Sequence, residues 1–259
     1  MSYSDKNEFL TILHGYRLDG SGSCVYVSNI TREYVRAGKS VVLHCQEPEP
    51  EKYDYLSEGY EMTADGEIVQ LFKRCRETNG RGVYLRPYLK DRLLPVFVAG
   101  EFPGFENVKP ITELNDSELQ SYVDTNVYAL LKSAEMFPSD TIFANHIVVT
   151  PYIAALAREQ NRDLDYFLIP HGSEIEYLMK RDRKFLEMAR KSLSDAKGIV
   201  SGSDEIFARI ENLFEEYLTW KPKTRIITIG VDSDQFFSPL ASDKSTRIEG
   251  PEAGDSEAD

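Results

Sequence analysis

Short apolar runs alternate with stretches of helical period along most of this 259-residue chain, and no other feature limits its fold as much. A helical crossover carries the chain back to the end at which the preceding strand began, so strands joined this way pair in parallel. The apolar runs predict strands over 9–15, 40–45, 67–72, 82–86, 94–99, 141–145, 165–170, 197–201 and 225–229. Several, including Phe9-Leu10-Thr11-Ile12-Leu13 and Tyr166-Phe167-Leu168-Ile169-Pro170, are nearly continuous apolar segments, the pattern of strands covered on both faces. The stretch Thr78-Asn79-Gly80-Arg81-Gly82 reads as the turn of a local hairpin between 67–72 and 82–86. Helices are predicted over 116–135, where Leu119, Val123, Val127 and Leu130 share a face, and over 204–218, where Ile206, Ile210, Leu213 and Tyr217 do. Asn115 followed by Glu118 is a capping-box start, Gly38 closes the helix that begins after Gly22, and Pro138 closes the one that contains Leu131. The fold class expected is α/β: an open, mostly parallel sheet with helices on both faces.

Hydrophobic residues make up 41% of the chain, enough for a substantial core, and no stretch approaches the roughly 18–20 apolar residues of a transmembrane segment. A net charge of −13 argues against nucleic acid as a partner, because binding a phosphate backbone needs a Lys/Arg-rich surface. The run Lys180-Arg181-Asp182-Arg183-Lys184 reads as a solvated helix face. Cys24, Cys45 and Cys75 are few, odd in number and widely spaced, as in reduced thiols. With a polar N-terminus that lacks a signal-peptide pattern, this places the chain as a soluble, cytoplasmic protein. The sequons at Asn29 and Asn115 then carry no glycan. From about residue 240 the composition changes: Ala241–Asp259 has two bases against six acids and one branched apolar residue, Ile248. Residues 1–239 are expected to form one domain and 240–259 an acidic, disordered tail, which has too little apolar surface to offset the entropy of ordering.

Three motifs can carry chemistry. Gly20-Ser21-Gly22-Ser23 lies between the first strand and the first helix, where backbone amides and the helix dipole make an anion site. The same turn also serves simply to reverse the chain, and a dinucleotide fingerprint is incomplete because Val25 stands at the third glycine position. His171, followed by Gly172-Ser173-Glu174, sits at the carboxyl end of a strand, the edge where open α/β sheets bind ligands; its plainer role is to cap the next helix. His146 follows another strand in Phe143-Ala144-Asn145-His146, and it too can simply fill a loop. His14 and His44 read as structural, and Ser201-Gly202-Ser203-Asp204 reads as a helix cap. No histidine or carboxylate pair has metal-ligand spacing, so no metal is expected.

The order of these motifs, ending in Gly230-Val231-Asp232 with Phe236 and Pro239, resembles the N-terminal half of a GT-B glycosyltransferase of the large retaining family 4. The resemblance implies a Rossmann-like domain that recognises a small-molecule or glycan acceptor, with a nucleotide sugar as co-substrate and no metal cofactor. It implies that Gly20, Ser21, Gly22 and Ser23 face a cleft and contact acceptor or donor phosphate. It further implies that His171 touches the transferred sugar as the catalytic-site imidazole, with His146 and Glu174 as further substrate-binding residues. No residues remain here for the donor-binding second half, so a donor-domain partner chain or a homodimer is the expected context. The alternatives are a non-catalytic binding or regulatory module on the same fold, and an NAD-dependent or sugar-nucleotide epimerase fragment.

Overall fold

A computed structural model describes residues 9–75 and 79–230. Its centre is a nine-stranded sheet made from β1 (Phe9–Leu13), β2 (Ser40–His44), β3 (Glu58–Met62), β4 (Ile68–Lys73), β5 (Gly82–Arg86), β8 (Thr141–Asn145), β9 (Asp165–Ile169), β10 (Gly198–Ser201) and β11 (Thr224–Ile226). Two further strands, β6 (Leu93–Val96) and β7 (Asn107–Pro110), pair in parallel as a separate ribbon. The order across the main sheet is β11-β10-β9-β8-β1-β2-β5-β3-β4, and every pair is parallel except β3 with β4. The chain moves outward from β1 to β2 and returns on the opposite side at β8, so the topological switch point lies between β1 and β8.

Alternation along β2 shows how the sheet is covered. Val41 and Leu43 pack with Ile12, Val27, Val35 and Tyr84 beneath α1 (Gly22–Arg36), whereas Val42 faces Phe9, Val83, Leu85 and Ala129 on the side of α2 (Asp116–Met136). The largest core cluster joins α2, α3 (Val149–Gln160), α5 (Arg183–Asp195) and α6 (Asp204–Leu213) to β8, β9 and β10. The start of α2 is reciprocal: the Glu118 amide donates to Asn115 Oδ1 at 2.9 Å and the Asn115 amide to Glu118 Oε2 at 2.8 Å. Gly38 ends α1 with φ +81°, a left-handed conformation that lets its amide reach the Val35 carbonyl at 3.0 Å.

The structure corrects three local expectations. No hairpin joins 67–72 to 82–86; β4 instead folds back on β3, a strand without clear apolar alternation, and β5 runs parallel between β2 and β3. Gly82 starts β5 so close to the Tyr55 carbonyl that a side chain there would collide with it, so this glycine serves packing and not a turn. The helix expected over 204–218 stops at Leu213. Phe214 turns extended so that its buried ring meets Trp220 at 5.4 Å, and α7 (Tyr217–Trp220) begins separately. Ribbon strand β7 had no counterpart in the apolar pattern. The acidic tail, and the Val231-to-Pro239 part of the last motif, lie outside the described residues.

Replacing Asn115 by Ala should remove one half of the reciprocal cap and lower unfolding stability by about 1 kcal/mol. Asn115→Asp should retain most of it. Urea denaturation should show a lower midpoint with unchanged slope for the alanine variant.

Candidate functional site

The parallel register levels the strand ends. Leu13 lies opposite both His44 and Ala144, and Ala144 lies opposite Leu168, so β1, β2, β8 and β9 release their loops along one edge. The segments that leave β1, β8 and β9 carry, respectively, His14 and the glycine turn, His146, and His171. The sheet order β9-β8-β1 therefore brings together three residues 132 and 25 positions apart in sequence.

Their rings form one cluster. His146 stacks on His14 with centroids 5.6 Å apart and meets the edge of His171 at 4.9 Å. Phe97 and Tyr16 close the other sides of His146, at 4.8 and 5.7 Å. His146 is 1% exposed, and its backbone has φ +78°, an unfavourable conformation for a residue with a Cβ. It is held there by its own amide, which donates to the Ile169 carbonyl at 2.8 Å. Neither ring nitrogen of His146 has a hydrogen-bond partner among the described residues.

His171 differs in being only partly buried. Asn145 Nδ2 donates to the Leu13 carbonyl at 3.1 Å, so its Oδ1 faces His171 and accepts from Nε2 at 3.2 Å. That pairing places the ring proton on Nε2 and leaves Nδ1 as a lone-pair acceptor. Burial lowers the His171 pKa from 6.5 to about 4, which keeps the ring neutral at pH 7. Burial also takes His14 down to about 3, and burial together with the neighbouring His171 and His14 takes His146 well below its ordinary value.

Glu174 stands at the end of α4 (Gly172–Glu174) and is fully buried. Its Oε2 accepts from the amides of Ile147 and Val148, the latter at 2.9 Å, at the start of α3. Glu174 thus caps the helix that follows His146, in a position the helix dipole favours, while Oε1 has no partner among the described residues. Burial raises its pKa from 4.5 to about 7, against the lowering effect of those amides.

The glycine turn lies on the same edge but open to solvent. Ser21 caps α1, accepting from the Cys24 amide at 3.4 Å and pairing its hydroxyl with Ser23 at 3.1 Å. No acid occupies the first turn of α1, and a side chain built on Gly22 would meet open space. Gly20 has φ +88°, so only glycine takes this path without strain. The turn and the cluster are joined through Tyr26, one helical turn beyond Gly22, whose ring lies 5.7 Å from His171.

A cavity of about 700 Å³ opens beyond β2, β3 and β5, lined by Gln46, Glu61, Arg86, Tyr88, Arg92 and Phe105 among others. Sequence reasoning gave no role to its lining, nor to Asn145, Tyr26 or Tyr16, and it read His14 as structural. Asn145 lies in the Phe143–His146 motif without a signal of its own, and the others belong to no local motif; their roles arise from strand order. Among the described residues, no group of three or more His, Cys, Asp or Glu side chains is placed to hold a metal ion. No helix there is long and apolar enough to cross a membrane.

No protein-family model matches the sequence, and no curated protein matches it. Among solved structures the chain is similar to sucrose-phosphate synthase from Thermosynechococcus elongatus, with a TM-score of 0.54 and 14% identity over 89% of this chain. It spans 50% of that chain. Lower similarity extends to the UDP-GlcNAc 2-epimerase of Neisseria meningitidis bound to UDP-GlcNAc (TM-score 0.44, 12% identity, 84% of this chain and 45% of that one). The N-terminal domain of trehalose-6-phosphate phosphatase from Candida albicans compares similarly (TM-score 0.46, 12% identity, 88% and 49%). At these identities the likeness shows the fold alone, and the first comparison carries it: a Rossmann-like α/β domain matching half of a GT-B structure.

The buried groups predict opposing pH effects. His14, His44, His146 and His171 have lowered folded-state pKa values, so the stability they contribute rises with pH above about 4 and is complete above 6.5. Glu174 is raised, so its contribution is full below 4.5 and is lost as pH climbs through about 7. Four histidines outweigh one carboxyl, and net stability should rise from pH 5 to 6.5. In Glu174→Gln the gain between pH 5 and 7 should be larger, by on the order of 2 kcal/mol, in urea titrations. An unchanged pH slope would show that Glu174 does not titrate there.

Proposed function

We propose that this domain is the acceptor-side half of a retaining, nucleotide-sugar-dependent glycosyltransferase. The observation that carries the reading is the meeting of an open glycine turn and a neutral, partly exposed imidazole at the switch point of the sheet. Sugar transfer from a diphosphate requires charge stabilisation at the leaving group and orientation of hydroxyls at the reacting carbon. The Gly22 and Ser23 amides, without an acceptor among the described residues, suit the first task. The Nδ1 lone pair of His171 suits the second, by accepting a hydrogen bond from a sugar hydroxyl.

In this reading Gly20, Ser21, Gly22, Ser23 and His171 meet the substrate. His146 and Glu174 act from behind: the first packs the face of His171, and the second anchors the helix that follows His146. The large cavity, on the same edge, receives the acceptor. The donor-binding half comes from further residues of a longer chain or from a companion chain, and no metal is required.

The test is transfer from a panel of nucleotide sugars, with and without a donor-binding half. Transfer should depend on that half, and His171→Ala should lower the rate by about 10²-fold with the fold intact. Gly22→Val should weaken nucleotide-sugar binding. Equal rates for wild type and His171→Ala would overturn the site, and strong turnover by residues 1–259 alone would overturn the half-enzyme assignment.

A further inference from the structure

Glu47 is 1% exposed, yet no cation lies within ion-pair distance of its carboxylate among the described residues. Its partners are the Leu18 amide on Oε2 at 3.0 Å, the Tyr53 hydroxyl on Oε2 at 3.3 Å, and the Glu49 amide on Oε1 at 3.2 Å. A buried carboxylate is costly unless its oxygens are met, and here they are met by three donors from two separate loops. Leu18 lies two residues before Gly20, and its buried side chain packs in the α1 core cluster. Side chain and amide together fix the entry to the glycine turn.

The main-chain carbonyl of the same residue faces the other way. It accepts from the Tyr84 hydroxyl at 2.7 Å and from Arg86 Nη2 at 2.9 Å. Arg86 also donates through Nη2 to the Pro48 carbonyl at 3.2 Å and through Nε to Tyr84 at 3.0 Å, and its Nη1 reaches Glu61 at 3.5 Å. Arg86 and Glu61 both line the 700 Å³ cavity. An unbroken set of polar contacts therefore runs from the cavity wall, through one residue, to Leu18 at the entry to the glycine turn.

We propose that Glu47 is a positioning residue that couples occupancy of the cavity to the geometry of the Gly20–Ser23 turn. The coupling rests on the reading of both as parts of one sugar-transfer site. A ligand that draws Arg86 toward the cavity pulls on the Glu47 carbonyl, and the carboxylate transmits that shift to the Leu18 amide. Glu47 touches no reacting atom; it acts through the turn.

Amide hydrogen exchange on the full chain, resolved by NMR and without any sugar nucleotide, tests this separately from transfer activity. Glu47→Ala removes the acceptor of the Leu18 amide. Exchange of that amide should then speed up by about tenfold or more and the Gly20–Ser23 amide resonances should shift, while β8 and β9 amides keep wild-type rates. Arg86→Lys, which leaves Glu47 in place and does not touch the turn, should accelerate the Leu18 amide several-fold and shift the same resonances. Unchanged Leu18 exchange or unchanged Gly20–Ser23 resonances in Glu47→Ala, or acceleration spread equally over β8 and β9, would overturn the positioning role. Wild-type exchange in Arg86→Lys would overturn the coupling, and this variant decides the matter if Glu47→Ala does not fold. In the transfer assay, Glu47→Ala should raise KM for the nucleotide sugar more than it lowers kcat. Absence of transfer by the wild type with every donor, in the presence of a donor-binding half, would refute the proposed function while the exchange result still judges Glu47.

Discussion

Because β1 pairs in parallel with both β2 and β8, successive strands leave the sheet at one edge and the crossovers must turn to opposite sides around β1. Parallel ladders leave little freedom in where the strand ends fall, since one residue of slip would move every core side chain to the opposite face and into the wrong cluster. Val42 and its neighbours Val41 and Leu43 serve opposite core clusters, so the register of β2 is held from both faces. The loops that leave β1, β8 and β9 have no choice but to meet. The histidine cluster, the glycine turn and the cavity are all consequences of that edge.

The edge holds more unsatisfied polarity than an ordinary core. His146 keeps both ring nitrogens without hydrogen-bond partners in a left-handed backbone conformation, and Glu174 leaves one oxygen unmatched beneath it. Each is unfavourable by itself. They persist because well-packed surroundings determine them: Phe97, Tyr16, His14 and His171 enclose the ring, and α3 engages the other carboxylate oxygen. Glu47 and Glu174 share a design, each a buried acid that meets backbone amides in a loop at the carboxyl edge of the sheet. They differ in surroundings, since Glu47 has both oxygens occupied.

Local chemistry was legible wherever it was decided by neighbours in sequence. The capping box of Asn115 and Glu118, the Gly38 helix end and the strand at Tyr166–Ile169 all follow from contacts within a few residues. Legibility failed where distant burial decided the outcome. Phe214 has helical spacing, but the Trp220 ring draws it into an extended turn. Gly80 and Gly82 have turn chemistry, but tight packing against neighbouring backbone, such as the Tyr55 carbonyl at Gly82, uses their missing side chains instead. For the site, the glycine turn and His171 could be named from strand context, whereas Glu174 was recognisable only as an acid in a short helix and not as the cap of another.

The sequence by itself determined the α/β alternation, the strand that feeds each candidate loop, and the residue types those loops carry, because these depend on periodicity and short-range hydrogen bonding. Tertiary structure alone decided which loops share an edge, that His14 joins His146 and His171, that Glu47 ties Leu18 to the Arg86 wall, and which imidazole stays partly open to solvent. The physical reason is that strand order and burial are set by packing between segments far apart in the chain, and no local pattern encodes which of several compatible neighbours a strand will take.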